Sequence, residues 1–282
     1  VASCTSGNSQ SAQQTKDPAT AAATAAARSP LNPIPPAPTD GPGAPSAAAT
    51  QFNVLKTVVA YRKDAAPVSQ DLSGTVNVDG YLQTVMRSNK AIWSEIFRGV
   101  SGVSMPALTY DVTSKSDRYV SACTRNGEKI VVTPMYGKFF YCSADNQPYG
   151  AVALPTDVLT PVWKKNSRQR ADLAVAVSTS RQASLIILKS LEQQLSLPKP
   201  SDIGRQYTAS CLAGVWGHAV YAQDAFSVQD LGTALSWSFT VPSEVDGTVT
   251  SPNPRNDEPA IEAWVTGFRA GDPSQCGLRF WN

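Results

Sequence analysis

The sequence predicts an α+β fold, mostly helical, in which a small, mainly antiparallel sheet is preceded by a disordered tether. Three observations carry that expectation. Apolar residues recur at spacings of three and four through several long segments after residue 79. Short β-branched or aromatic runs, bounded by Gly and Pro, crowd between residues 108 and 154. The first fifty residues are mainly Ala, Pro, Ser, Thr, Gly and Gln, with almost nothing to bury. The expected organisation is a tether over 1–50 and one folded domain over 54–282.

The chain opens Val1-Ala2-Ser3-Cys4: an aliphatic residue, two small ones and a Cys, the shape of a bacterial lipobox. Cys4 is the expected lipidation site. Each buried CH₂ of an attached acyl chain contributes about 0.8 kcal/mol, and two chains give a stable anchor. The charged and apolar parts of a signal peptide do not precede it, so the expected form is a processed one. The Ala-rich run over 19–27 has helical propensity, but Pro30, Pro33, Pro35, Pro36 and Pro38 stop it. As a flexible coil, roughly 45 residues would span about 35–40 Å. Such a leash holds a domain away from a membrane surface. The Ala/Pro/Thr composition points to a high-GC Gram-positive host, such as an actinobacterium.

Net charge is +2 and no block of Lys and Arg occurs, so nothing asks for nucleic acid. No run of about 18 apolar residues encodes a membrane-spanning helix.

Folded sequence is expected from about Val54. Asp79 can cap a helix running to about Arg98, with Leu82, Val85, Met86, Ile92, Trp93, Ile96 and Phe97 on its core face. Leu108–Val112, Lys129–Thr133, Lys138–Cys142 and Gly150–Leu154 read as strands. Thr156 or Asp157 can cap a short helix through Trp163. A longer helix is expected over 171–195, striped by Leu185, Leu188, Leu191 and Leu195, and ended by Pro198 and Pro200. Asp202 begins the next, to about Ala222, with small residues on one side and Leu212, Val215 and Trp216 for packing. Ser227 to Asp230 resembles a capping box for a helix carrying Leu231, Leu235 and Trp237. Residues 242–258 read as loop. Pro259 is expected in the first turn of a last helix, which Gly271 stops.

Three motifs stand in order within this domain: Phe140-Tyr-Cys-Ser-Ala-Asp145, Cys211-Leu-Ala-Gly-Val-Trp216 and Gly267-Phe-Arg-Ala-Gly-Asp-Pro-Ser-Gln-Cys276. Over roughly 79–280 the chain resembles the bacterial neutral zinc metallopeptidase family. The resemblance implies a zincin-like helix core. In that family the segment before the second motif reads Glu-Leu-Gln-Ala-Asp, and its Glu is the third zinc ligand. Here Gln206 stands for the Glu and Ser210 for the Asp. Tyr149-Gly-Ala-Val departs from the family's Tyr-Leu-Asp-like segment at the substrate edge.

A zincin needs two His one helical turn apart, with a Glu between them as general base. Laid on the 171–195 helix without gaps, the family's His-Glu-x-x-His falls on Arg181-Gln-Ala-Ser-Leu185. Arg181 and Leu185 then replace the ligands, and Gln182 the base. Leu185 has no lone pair, and a guanidinium offers only donors. Gln182 and Gln206 neither take a proton near neutral pH nor hold a dication well. No metal ligand, catalytic residue or cofactor is therefore expected at these positions. Arg181 can instead be imagined hydrogen-bonded to Gln206 or Ser210. His218, the single His, follows the second motif and reads as structural.

With Cys4 lipidated, four Cys remain and allow three pairings. The resemblance implies Cys123–Cys142 and Cys211–Cys276. Bridges closing loops of about 20 and 66 residues contribute roughly 3 and 4 kcal/mol in the chain-entropy model, and fit an extracytoplasmic compartment.

The functional expectation is a lipid-anchored pseudopeptidase on the outer face of the cell membrane, binding a peptide or protein partner in the cell envelope. The alternative is a hydrolase of another mechanism in the same cleft, using Ser210 or a carboxylate such as Glu192, Glu258 or Glu262. A third is a purely structural envelope protein.

Overall fold

The computed structural model describes residues 78–98, 100–113, 118–134, 136, 138–151, 171–222, 226–239, 243–250 and 254–281. The tether, Cys4, the domain start at Val54 and the short helix over 156–163 lie outside these residues, as does the end of the strand expected over 150–154.

The fold is α+β and mostly helical. In chain order the elements are α1 (Val78–Arg98), β1 (Asp111–Thr113), β2 (Tyr119–Arg125), β3 (Glu128–Val132), β4 (Phe139–Cys142), β5 (Gln147–Ala151), α2 (Ala171–Gln194) and α3 (Asp202–Tyr221). There follow α4 (Val228–Ser238), β6 (Ser243–Val245), β7 (Thr248–Thr250), α5 (Pro254–Ala270) and α6 (Ser274–Phe280). No helix of the described residues is long and apolar enough to cross a membrane.

Helix α1 is amphipathic, and Leu82, Val85, Met86, Ile92, Trp93, Ile96 and Phe97 are all buried, as their spacing requires. Helices α2 and α3 are buried nearly all round, so they form the centre against which the others pack. Polar contacts set their order. Tyr81 donates its hydroxyl to the Asp172 carbonyl (2.7 Å), and Trp216 donates its indole N–H to Ser88 Oγ (3.0 Å).

The small face of α3 lets another backbone come close. A Cβ on Gly214 would lie 2.0 Å from the Trp264 carbonyl oxygen, and one on Gly267 would lie 1.9 Å from that of Cys211. Helices α3 and α5 thus touch backbone to backbone, which larger residues forbid. Disulfide Cys211–Cys276 ties α3 to α6 with Cα atoms 5.4 Å apart, and Cys123–Cys142 ties β2 to β4 at 5.7 Å.

The five-stranded sheet runs β1-β5-β4-β6-β7. Two antiparallel hairpins, β4–β5 and β6–β7, are joined by the parallel pair β4–β6, and β1 adds parallel to β5. Strands β2 and β3 form a separate antiparallel ribbon. It packs on the sheet through Cys123, Ile130, Val132, Phe140, Cys142 and Tyr149.

Several elements differ from expectation, and strand β5 begins at Gln147, three residues before the run expected over 150–154. Residues 243–250, read as loop, are the β6–β7 hairpin, turning on Asp246 and Gly247, both at positive φ. Each strand has three residues, too few for alternation to stand out. Helix α5 begins at Pro254, with Pro259 inside it instead of in its first turn. Strand β1 lies at 111–113, later than the Leu108–Val112 run.

Candidate functional site

The middle of α2, Ser178-Thr-Ser-Arg-Gln-Ala-Ser184, is mostly polar yet buried except at half-buried Arg181, which a helix core seldom tolerates without cause. Here Arg181, Gln182 and Leu185 meet Gln206 and Ala209 of α3 and Ser243 and Val245 of β6 around one cavity. It has room for about one water molecule. Four of the five positions singled out in the sequence are therefore neighbours, although α3 lies beyond the end of α2. Ser210 is fully buried but does not line the cavity among the described residues.

Arg181 lays its guanidinium over the Phe239 ring, 4.1 Å from the centroid. The imagined bond to Ser210 is not made, because Ser210 Oγ has no hydrogen-bond partner. Gln182 is 3% exposed, and its Oε1 is also without a partner. A buried acceptor left this way costs about 1–3 kcal/mol.

The cavity wall does not fit a divalent zinc ion. Its side-chain donors are two neutral amides and the Ser243 hydroxyl, Leu185 offers none, and Arg181 brings positive charge. Nor does it fit proton-transfer chemistry, since no carboxylate, imidazole or thiol lines it among the described residues.

The nearby carboxylates are engaged elsewhere. Ser243 and Val245 face the cavity, so alternation along β6 turns Glu244 to the other side. There Glu244, fully buried, is forked by Arg125 (Nε to Oε1 2.9 Å), accepts from the Tyr136 hydroxyl (2.7 Å) and lies 3.5 Å from Lys138 Nζ. Burial pushes its carboxyl up, but these partners more than offset that and hold it below its ordinary value. Burial and the facing carboxylate raise the Tyr136 phenol.

Glu192, a candidate carboxylate of the alternative hydrolase reading, is buried and paired with Arg205. Arg205 also reaches Asp246 Oδ2 at 3.5 Å. Asp246 Oδ1 accepts from the Ser143 N–H (2.6 Å) and lies 3.3 Å from Cys123 Sγ. Cys123, Cys142 and Asp246 present a metal-like cluster, but the two sulfurs are bonded to each other and supply no thiolate. Glu258 and Glu262 are exposed on α5. His218 Nδ1 is 2.7 Å from the Phe268 carbonyl oxygen, so that nitrogen donates and holds α3 to the end of α5.

At the expected substrate edge, β5 is flanked by β1 on one side and β4 on the other, leaving no open edge for a peptide to join. Sequence reasoning passed over Arg205, Asp246 and the Arg125–Glu244–Tyr136 cluster. An Arg set among the small residues of α3 was the one visible hint.

No family model, no curated protein and no solved structure matches this chain.

Proposed function

We propose that this chain is a catalytically silent relative of the bacterial neutral zinc metallopeptidases. In this reading a lipid on Cys4 holds it at the outer face of the cell membrane, and it acts by binding a peptide or protein in an envelope complex. One observation carries the reading. Arg181, Gln182 and Leu185 from one helix and Gln206 from the next share a single cavity. These are the positions that the aligned motif assigns to ligand, base, ligand and third ligand. A zincin brings those four groups together around its metal, and here the groups brought together can neither hold a cation nor move a proton.

The alternative, a hydrolase of another mechanism, finds little support. Ser210 and Glu192 do not line the cavity among the described residues, and Glu192 already balances Arg205.

Metal analysis and a casein-hydrolysis assay on the purified chain test the reading. The expected result is zinc far below one equivalent and no cleavage. Near-stoichiometric zinc, or cleavage lost on Ser210→Ala, would overturn it. Crosslinking in cells followed by mass spectrometry is expected to recover a specific envelope protein.

A further inference from the structure

The β2–β3 ribbon pairs only with itself among the described residues. Its turn residues Asn126 and Gly127 have φ 54° and 85°, the pattern of a two-residue type I′ hairpin. In such a hairpin Arg125 and Glu128 form the closing hydrogen-bonded pair. Along β3, the backbone groups of Glu128, Ile130 and Val132 therefore point to β2. Those of Lys129 and Val131 point the other way, out of the ribbon.

The two strands are treated differently. At the irregularity in β2, the Ala122 N–H donates to Asp145 Oδ2 (2.8 Å) and its carbonyl accepts from Lys129 Nζ (2.6 Å), so side chains cap it. No such cap covers the outward groups of Lys129 and Val131 among the described residues. A groove of about 300 Å³ lies there instead. Consecutive residues Glu128 to Val131 line it although their side chains alternate between faces, so the groove runs along β3. Arg125, the turn residue Asn126 and Tyr136 complete the wall. On the outer face Val131 is 38% exposed and its cross-strand neighbour Val120 is 65% exposed.

We propose that the edge of β3 takes an extended peptide segment of a partner protein as a third strand. About four residues would pair through the N–H and C=O groups of Lys129 and Val131. Outward backbone groups at every second residue match another extended backbone and little else. A free anion is poorly served, because Arg125 is already forked to Glu244. In the paired strand, a residue turned toward the domain rests on Tyr136. The inference rests on the binding reading only for the existence of a polypeptide partner, and it places that partner away from the Arg181 cavity.

The test is selection of a phage-displayed random heptapeptide library on the full chain, with synthetic copies of the enriched peptides titrated against variants. The expected peptides alternate apolar and polar residues. Val131→Pro removes one outward N–H at a position where an edge strand accepts proline. It is expected to weaken them about three- to tenfold, the loss of one net hydrogen bond. N-methylation of alternate peptide residues leaves the protein untouched and is expected to do the same, which guards against a misfolded variant. No enrichment, or peptides indifferent to both changes, would overturn the inference. So would a dimer in sedimentation that Val131→Pro dissolves, since a second copy would then own the edge. Peptides lost on Arg181→Ala but not on Val131→Pro would sink the inference and leave the binding reading standing. Peptides that are cleaved would sink that reading instead.

Discussion

Glu192 of α2 and Arg205 of α3 face each other as a two-pronged ion pair, Nε to Oε1 3.3 Å and Nη2 to Oε2 3.4 Å, with side chains 7% and 5% exposed. Removing one partner strands the other charge away from water. Arg205→Ala or Glu192→Gln is expected to destabilise the domain by about 3–5 kcal/mol. Replacing both by apolar residues, as in Arg205→Met with Glu192→Leu, is expected to recover most of that loss. Urea unfolding of the three variants measures both effects. A near-zero change for the single variants would mean that the pair is solvated.

Glu244 links stability to pH. Its folded carboxyl lies below the ordinary value of 4.5, because the Arg125 fork, the Tyr136 hydroxyl and Lys138 outweigh burial. The native state therefore holds fewer protons than the unfolded one in that range. The stabilisation is complete above the ordinary value and is lost as pH falls through the lower native one. Thermal melts between about pH 5 and pH 2 are expected to show a falling Tm, with a shallower fall in Glu244→Gln. Equal slopes would remove Glu244 from the acid response.

Gly214 is held by proximity, not by backbone angle. A methyl there meets the Trp264 carbonyl oxygen at 2.0 Å, so α3 and α5 must separate. Gly214→Ala is expected to cost about 3 kcal/mol or more, and Gly267→Ala a similar amount. Calorimetry reads both, and an unchanged Tm would mean the helices pack less closely.

Placing zinc ligands at the aligned positions tests the proposed kinship more sharply than any deletion. Arg181→His, Leu185→His and Gln206→Glu together are expected to give a chain that binds about one zinc, since three donors then line one cavity. Zinc titration against a chelating dye would report it. A folded triple variant that binds none would show that these positions were wrongly laid on the motif.

The long elements were legible because period-3.6 burial is written directly into them. Leu82 to Phe97 and Leu185 to Leu191 fall where their spacing puts them. The two disulfides followed from motif resemblance and not from spacing. The β6–β7 hairpin was missed because Asp246-Gly247, a turn signal, sits among the Ser, Pro and Asn of an apparent loop. Strand β2 and helix α6 went unremarked. The meeting of Arg181 with Gln206 was expected only through the resemblance. The clasp of Arg125, Tyr136 and Glu244 joins residues more than a hundred positions apart, and no local pattern announces such a contact.

The covalent link between Cys123 and Cys142 has a mechanical meaning. A tug on the ribbon from outside would otherwise be borne by the side-chain packing and polar clasps that seat it on the sheet, and these yield one after another. With the bridge closed, the load passes through sulfur into β4 and from there to the β6 strand beside it. A bond, and not packing alone, thus fastens the ribbon to the body of the molecule.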